Sequence, residues 1–374
     1  MRTFTKISLI VFVLVGIFSD FIANDKAVIC KDENGKLLTV WHDNYPAIAK
    51  DKCTAVLYPL IHYSYKTIDK QNAGCVSPFA KQNLKPGQQR HYLGTDELGR
   101  DVFAGIIHGT NISLKIGIMS MALSLLLALI LGLFPSYYGD TDFKMTKAGI
   151  LTFLLFAAII LYMIRYWQAF EYLAFSNIIM LILFAGIILW GIKYILEKSA
   201  YFSKKITIPL DSTITLFTML FKSLPGIFLI IIISMFSKPS IYNIIIAIAI
   251  IKWPVLTRFI RAEIMKVKNE AFIDSSKALG LPEHKILWRH ILPHTITPVL
   301  IALSFGFAGT VLLESTLSFL GIGLPADHVS WGTLLSGARH NYSAWWLSIF
   351  PGLAIFFTII LFKSLTKGKD DYPL

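Results

Sequence analysis

Three histidines, one isolated glutamate and three cysteines are the residues whose types and spacing invite chemistry in this chain. His284, His290 and His294 would suit a divalent metal if one helix face gathered them. Their spacing puts only His290 and His294 on one face, and Pro293 falls between those two, so a polar surface is the simpler setting and no metal site is expected. Glu314 stands in the apolar run Val311–Leu320. At membrane depth an ionised carboxylate is costly unless it is partnered or wetted, so Glu314 must face protein or a wet path. It is read first as a hydrogen-bonding partner between helices and second as a wall residue of a wet pathway. Cys30, Cys53 and Cys75 share one polar stretch whose spacing resembles no zinc pattern. In an oxidising compartment one disulfide and one remaining thiol are expected, with the pairing left open. The sequence has no Gly-x-x-x-x-Gly-Lys-Ser/Thr loop, no His-Glu-x-x-His and no Gly-x-Ser-x-Gly. ATP binding, hydrolytic catalysis and a bound cofactor are therefore not expected of this chain itself.

The elements that carry these residues are hydrophobic. Of 374 residues 55% are hydrophobic and only 16% charged, yet Lys and Arg exceed Asp and Glu by 35 to 23, for a net charge of +12. Mean hydropathy is +0.61. A basic disordered tail would lack the apolar residues, and a nucleic-acid binder would gather its charge on one face. Here the basic residues are scattered between apolar blocks, eight of which approach the roughly 20 residues a helix needs to cross a bilayer. They run over about 7–23, 112–134, 149–164, 177–196, 213–236, 241–259, 295–320 and 343–364. The blocks 149–164 and 241–259 are the weakest, the first for its length and the second for Lys252 and Pro254. Arg2 and Lys6 before the first block also permit a signal peptide, but no small-x-small cleavage site follows clearly, so a retained first helix is expected.

Charge suggests the orientation. With a cytosolic amino terminus and all eight blocks spanning, the short cytosolic segments after residue 110 hold sixteen basic residues and the short outer loops three. That asymmetry fits the positive-inside rule, from which the long segment 24–110 is exempt. Both termini are then cytosolic. The expected divisions are a first helix 1–23, an extracytoplasmic segment with an interfacial amphipathic helix 24–110, a second span 111–140, an inserted hairpin 141–210, and further helices 211–374 that include a cytosolic loop 262–294.

Two motifs occupy these parts. Leu93-Gly-Thr-Asp-Glu-Leu-Gly-Arg-Asp101 precedes the second span, with Thr95 or Asp96 placed to cap a helix bearing Val102, Phe103, Ile106 and Ile107 at helical spacing. Ala271–Pro293 reads as a helix ending at Gly280, a good left-handed stop, and a second helix with Pro282 in its first turn. Such a rigid bend suits docking better than a flexible linker.

Gly94, Thr95, Asp96, Gly99, Arg100 and Asp101 resemble the LGTDxxGRD signature of ABC importer permeases of the dipeptide/oligopeptide/nickel branch, in the C-type subunit of their heterodimeric pore. Asp274, Ser275, Ser276, Gly280, His290, Leu292 and Pro293 are similar in spacing to the ATPase-coupling loop of those permeases, with Asp-Ser-Ser in place of Glu-Ala-Ala. Glu314–Pro325, Ser330–Gly337 and Ala344–Gly352 resemble later segments of the same subunits, and Trp345 and Trp346 suit interfacial anchors. The likeness covers about 1–140 and 210–366 and is broken by the insert and by the lysine-rich end 363–369.

The resemblance implies an all-α integral membrane protein of the type I ABC importer permease fold. It would have six core spans, an inserted pair of spans and a small extracytoplasmic segment. It implies a transport subunit for peptides, or for nickel or glutathione, in a bacterial inner membrane. Its partners would be a homologous permease subunit, two ABC ATPase subunits, an extracytoplasmic solute-binding protein and membrane lipid, without nucleic acid or cofactor. A membrane enzyme using Glu314 and a histidine, or a nucleotide-independent scaffold, are the competing readings.

Overall fold

The computed structural model describes residues 2–26, 28–32, 37–39, 53–86, 88–141, 143–165, 175–236, 239–325 and 327–364. The chain divides into two units, residues 1–130 with 218–374, and residues 131–217. Among the described residues four helices are long and apolar enough to cross a membrane: Val102–Tyr138, Ile241–Lys268, Glu283–Phe319 and Trp346–Ser364. A fifth candidate is a pair bent by 79°, and Thr5–Ile17, Lys147–Ile160 and Leu183–Leu196 are shorter apolar helices.

In the first unit, α1 (Arg2–Ile17) and the short α2 (Ser19–Ile22) lead into the polar segment. There β1 (Ile29–Asp32) pairs antiparallel with both β2 (Leu37–Thr39) and β3 (Cys53–Leu57). The polar segment, in which Pro46, Pro59, Pro78 and Pro86 break any long regular element, thus carries a small sheet of short strands. The sheet places Cys30 opposite Val56 and Cys53 opposite Asp32. The side chains of Cys30 and Cys53 lie outside the described residues, while Cys75 is a free thiol.

α3 (Val102–Tyr138) is one continuous helix of 37 residues. The expected short interfacial helix and second span are therefore a single element, because nothing between Val102 and Phe134 breaks the i→i−4 ladder. Small residues let it pack closely. A Cβ at Gly109 would stand 2.7 Å from the Trp331 ring, and one at Gly117 2.4 Å from Phe307. Such contacts bring helices together where apolar surroundings supply no hydrophobic drive of their own.

The expected span 213–236 is two helices, α7 (Leu210–Ser223) and α8 (Gly226–Phe236), bent between Ser223 and Gly226. Pro225 has no N–H to continue the first helix, and the residue before it avoids the helical region. By contrast Pro254 lies inside α9 (Ile241–Lys268) without ending it. Beyond it stand α10 (Ala271–Ala278), α11 (Glu283–Ile286), a π-helical turn Leu287–Ile291 and α12 (Leu292–Phe319). α13 (Trp331–Gly337) and α14 (Trp346–Ser364) complete the unit. Ile112 and Ile116 of α3 meet Ile244, Ile245 and Ile248 of α9, and Ile230, Ala247 and Leu317 form a second cluster.

In the second unit, α4 (Lys147–Arg165) and α5 (Phe175–Leu196) pair as a hairpin. At their shared end β4 (Lys144–Thr146) and β5 (Lys205–Thr207) form an antiparallel ribbon, with α6 (Ala200–Ser203) between α5 and β5. The insert is therefore a hairpin tied by a ribbon rather than two bare helices.

Candidate functional site

Three groups of residues named from the sequence occupy distinct places in the first unit. The Gly94–Asp101 motif is a folded knot. Thr95 is fully buried; its hydroxyl donates to the Asn72 carbonyl at 2.7 Å and accepts the Val76 N–H at 3.0 Å. Asp96 accepts the backbone N–H groups of Leu98 and Arg100 at 3.0 and 2.8 Å and the Arg100 Nε–H at 2.7 Å. The glycines are required for geometry. Gly99 has φ +85°, and a Cβ there would lie 2.2 Å from the Asp69 carbonyl oxygen. Gly94 has φ +79°, and its Cβ would meet the Val76 carbonyl oxygen at 2.7 Å. Side chains rarely adopt this backbone region, and glycine enters it without steric cost.

Asp101, rather than Thr95 or Asp96, caps the helix. Its Oδ1 accepts the Ala104 N–H at 2.7 Å, while Oδ2 stands 2.8 Å from His91 Nδ1. Thr95 and Asp96 are consumed by the loop and stand too far ahead of Val102 to serve. The other ring nitrogen of His91 lies 3.4 Å from Asp69 Oδ2, so a buried imidazole bridges two carboxylates. Tyr63 stacks on that ring with centroids 4.1 Å apart and donates its hydroxyl to the Gln89 carbonyl. Burial and the nearby Asp101 and Asp69 carboxylates push the Tyr63 phenol up to about 12, against a lowering contact from Gln88. Burial acts to raise Asp69, but bonds from Asn72, the Gln71 N–H, His91 and Gln88 outweigh it and hold the carboxyl below its usual range. Burial also raises the Cys75 thiol.

Trp346 is only 4% exposed and donates its Nε1–H to the Thr95 carbonyl at 3.0 Å. It is thus a tie between α14 and the knot rather than an interfacial anchor; Trp345 is the partly exposed member of the pair. The Trp331 indole makes a matching bond to the Ile106 carbonyl at 3.0 Å. His91, Asp69 and Tyr63 carry no periodic or spacing signal that would have joined them to Asp101, because the contacts are made by an irregular loop.

The second group is the bend at Ala271–Pro293. α10 ends as expected: Gly280 has φ +74°, its N–H bonds the Lys277 carbonyl at 2.9 Å, and the Leu281 N–H reaches back to Ser276 at 3.3 Å. Pro282 is the N-cap before Glu283 rather than a first-turn residue, since its ψ of 143° is still extended. One side of the bend is buried through Ile273, Ser276, Ile286, Leu287 and Ile291. The other carries exposed Asp274, Ser275, Leu279 and Gly280. Leu279 is 81% and Trp288 55% exposed, a large apolar investment in an open surface. Pro293 does not interrupt the helix, because the π-helical turn just before it shifts the hydrogen-bond register and Pro293 falls at the start of α12. His290 and His294 are not gathered with His284; the His294 ring packs 5.1 Å from Phe272. No group of three or more metal-ligating side chains occurs among the described residues.

The third group surrounds Glu314, which is completely buried. Ser318 donates to Oε1 at 2.7 Å, and Ser315 and Ser113 donate to Oε2 at 3.4 and 3.5 Å. The Ser330 hydroxyl is a further neighbour. Ser113 belongs to α3 and Ser330 caps α13, so the carboxyl joins three helices through small hydroxyl donors.

Two spans' worth of helix, an exposed bend between them and a buried interhelical carboxyl describe a membrane component, and the comparisons define its class. Residues 199–368 match the family described as binding-protein-dependent transport system inner membrane component. The chain is a permease-type subunit of ABC transport, a transport component rather than an enzyme. Its likeness is to the peptide branch. It is 26% identical over 300 residues to a dipeptide transport system permease protein of Alkalihalophilus pseudofirmus, covering 79% of this chain and 76% of that protein. It is 27% identical over 282 residues to a glutathione transport system permease protein of Pectobacterium atrosepticum, covering 75% and 71%. Among solved structures, the inward-facing MetNI methionine ABC transporter aligns with a TM-score of 0.46 at 12% identity, covering 70% of this chain and 92% of that one.

Proposed function

We propose that this chain is half of the pore of an ATP-driven importer for di- or oligopeptides or a related solute such as glutathione, paired with a homologous permease subunit. Two ATPase subunits dock on the bend within 262–294, and a solute-binding protein delivers cargo at the face that carries the Gly94–Asp101 knot. Both termini are then cytosolic and the polar segment lies outside. The six core spans comprise α1, α3, the bent pair α7–α8, α9, the helix through α12, and α14, with α4–α5 as an added hairpin. The Glu314 carboxyl serves as an interhelical tie, since Ser113 of α3 and Ser330 at the cap of α13 bring hydroxyls to it beside Ser315 and Ser318 of its own helix.

The observation that carries this reading is the bend itself. A rigid helix–glycine–helix element with a buried inner side presents Asp274, Ser275, Leu279 and Gly280 outward. Such an element can transmit a push from a docked partner into α9 and α12, between which it is strung. Gly280 tests it. A Cβ there meets nothing within 4 Å, so a larger side chain fits this chain and disturbs only what docks on it, apart from the left-handed backbone cost of about 1–2 kcal/mol. In the assembled transporter, Gly280→Trp should abolish peptide uptake while the protein still inserts and ATP hydrolysis continues. Normal uptake with normal ATPase copurification would overturn the proposal.

A further inference from the structure

The inserted hairpin of the second unit has a chemistry of its own. Six lysines stand at the end closed by the β4–β5 ribbon: Lys144, Lys147, Lys193, Lys198, Lys204 and Lys205. Among the described residues the acids beside them are Glu197, Asp140 and Asp211; Asp142 lies outside the described residues. Asp140 is taken up by the hydroxyl and N–H of Ser212, and Asp211 is buried. Lys144, Lys204 and Lys205 are exposed and make no ion pair among the described residues. Lys147 is differently occupied, with its Nζ 3.5 Å from the Tyr201 ring centroid.

Three of these lysines converge. Cross-strand pairing sets Lys144 opposite Thr207 and Thr146 opposite Lys205. Strand side chains alternate, so Lys144, Thr146, Lys205 and Thr207 share one ribbon face and Met145 and Ile206 take the other. Thr146 donates to Glu197 Oε1 at 2.6 Å, and Lys193 Nζ stands 3.9 Å from that same oxygen. Lys193 is thereby tied to the ribbon face that bears Lys144 and Lys205.

An apolar groove leads to the same place. It has a volume of about 330 Å³ and is lined by Phe156, Leu183, Gly186, Ile187 and Trp190. Leu183, Gly186, Trp190 and Lys193 follow one another at three- and four-residue steps, so they form one stripe of α5 with the lysine at its end. From Gly186 to Lys193 the rise is about 10 Å. A Cβ at Gly186 would meet nothing within 4 Å, which leaves the groove open.

We propose that this end of the hairpin binds an anionic phospholipid, its phosphate headgroup on Lys144, Lys193 and Lys205 and an acyl chain in the groove beside Gly186. Opposite charge selects the headgroup, the exposed Thr207 hydroxyl suits its oxygens, and the apolar stripe distinguishes a lipid from a free anion. The site does not depend on which solute the transporter carries.

The full-length chain in neutral detergent, examined by native mass spectrometry with added lipid, provides the test. Phosphatidylglycerol should be retained at least tenfold over phosphatidylcholine. Each lysine charge is worth roughly fivefold in occupancy, so the triple variant Lys144→Gln, Lys193→Gln, Lys205→Gln should lose that preference. Gly186→Leu, which fills open space, should weaken retention of both lipids. A control triple variant in the other unit, Lys266→Gln, Lys277→Gln, Lys285→Gln, should keep the preference. Undiminished preference in the first triple variant overturns the site, as does its loss in the control. Displacement of the lipid by millimolar inorganic phosphate alone would show an anion site rather than a lipid site and would also overturn it.

Discussion

Asp101 is the residue on which the polar segment and α3 depend together, and its removal can be worked through from the geometry. Asp101→Ala deletes two bonds made by a carboxylate that is 2% exposed. Losing the cap on the Ala104 N–H costs about 1 kcal/mol. Losing the partner of His91 Nδ1 leaves a buried donor unsatisfied, for about 1–3 kcal/mol more. The combined expectation is about 2–4 kcal/mol. Asp101→Asn is the informative contrast. Its amide oxygen can still accept the Ala104 N–H, and its NH₂ can meet His91 if the ring adopts the tautomer whose Nδ1 accepts and whose Nε2–H donates to Asp69. That variant should cost about 1 kcal/mol, chiefly the difference between a charged and a neutral bond. Equilibrium unfolding of the purified chain in mixed detergent, followed by tryptophan fluorescence, measures both. Trp346 is bonded to Thr95 in the same knot and should report its opening. The reasoning fails if Asp101→Ala and Asp101→Asn are equally mild, or if Asn is the worse of the two.

Three further expectations follow from the same contacts. The Asp69 carboxyl is held below its usual range in the folded state; its contribution is therefore present above the ordinary carboxylate pKa of about 3.9 and is lost as pH falls through the lower folded value. Hydrogen exchange of residues 61–101 should stay protected at pH 5 and accelerate below about pH 4, and Asp69→Asn should remove that part of the pH dependence. Glu314→Gln keeps an acceptor for Ser318 and should stay within about 1 kcal/mol of the parent in unfolding titrations. Glu314→Ala strands buried serine hydroxyls and leaves a void, for a loss of about 2–4 kcal/mol; equal effects would argue that the carboxylate charge itself is what matters. Because burial raises the Cys75 thiol, a chain with Cys30→Ser and Cys53→Ser should be alkylated by iodoacetamide at pH 8 more slowly than a model peptide. A rate equal to the peptide's would contradict the buried setting.

What the sequence determined by itself was whatever local chemistry dictates. Apolar blocks near the length of a bilayer crossing announced membrane helices. Gly280 was legible as a left-handed helix stop because that role depends on four or five neighbouring residues. The Gly94–Asp101 motif was legible as a unit but not as a mechanism. Tertiary structure decided that Asp101 is the cap, that Thr95 is a buried strut and that His91 sits between Asp69 and Asp101, partners 22 and 10 residues away. It turned Trp346 from an expected interfacial anchor into a hydrogen-bonding tie, because an indole N–H finds a distant carbonyl only once α14 is packed. It also surrounded Glu314 with Ser318, Ser315 and Ser113, the last 201 positions away in sequence. The division has one physical reason. Helix formation and termination are read from residues within a turn or two, whereas a buried polar group must be satisfied by whatever donor the fold carries to it, and no spacing along the chain records that journey.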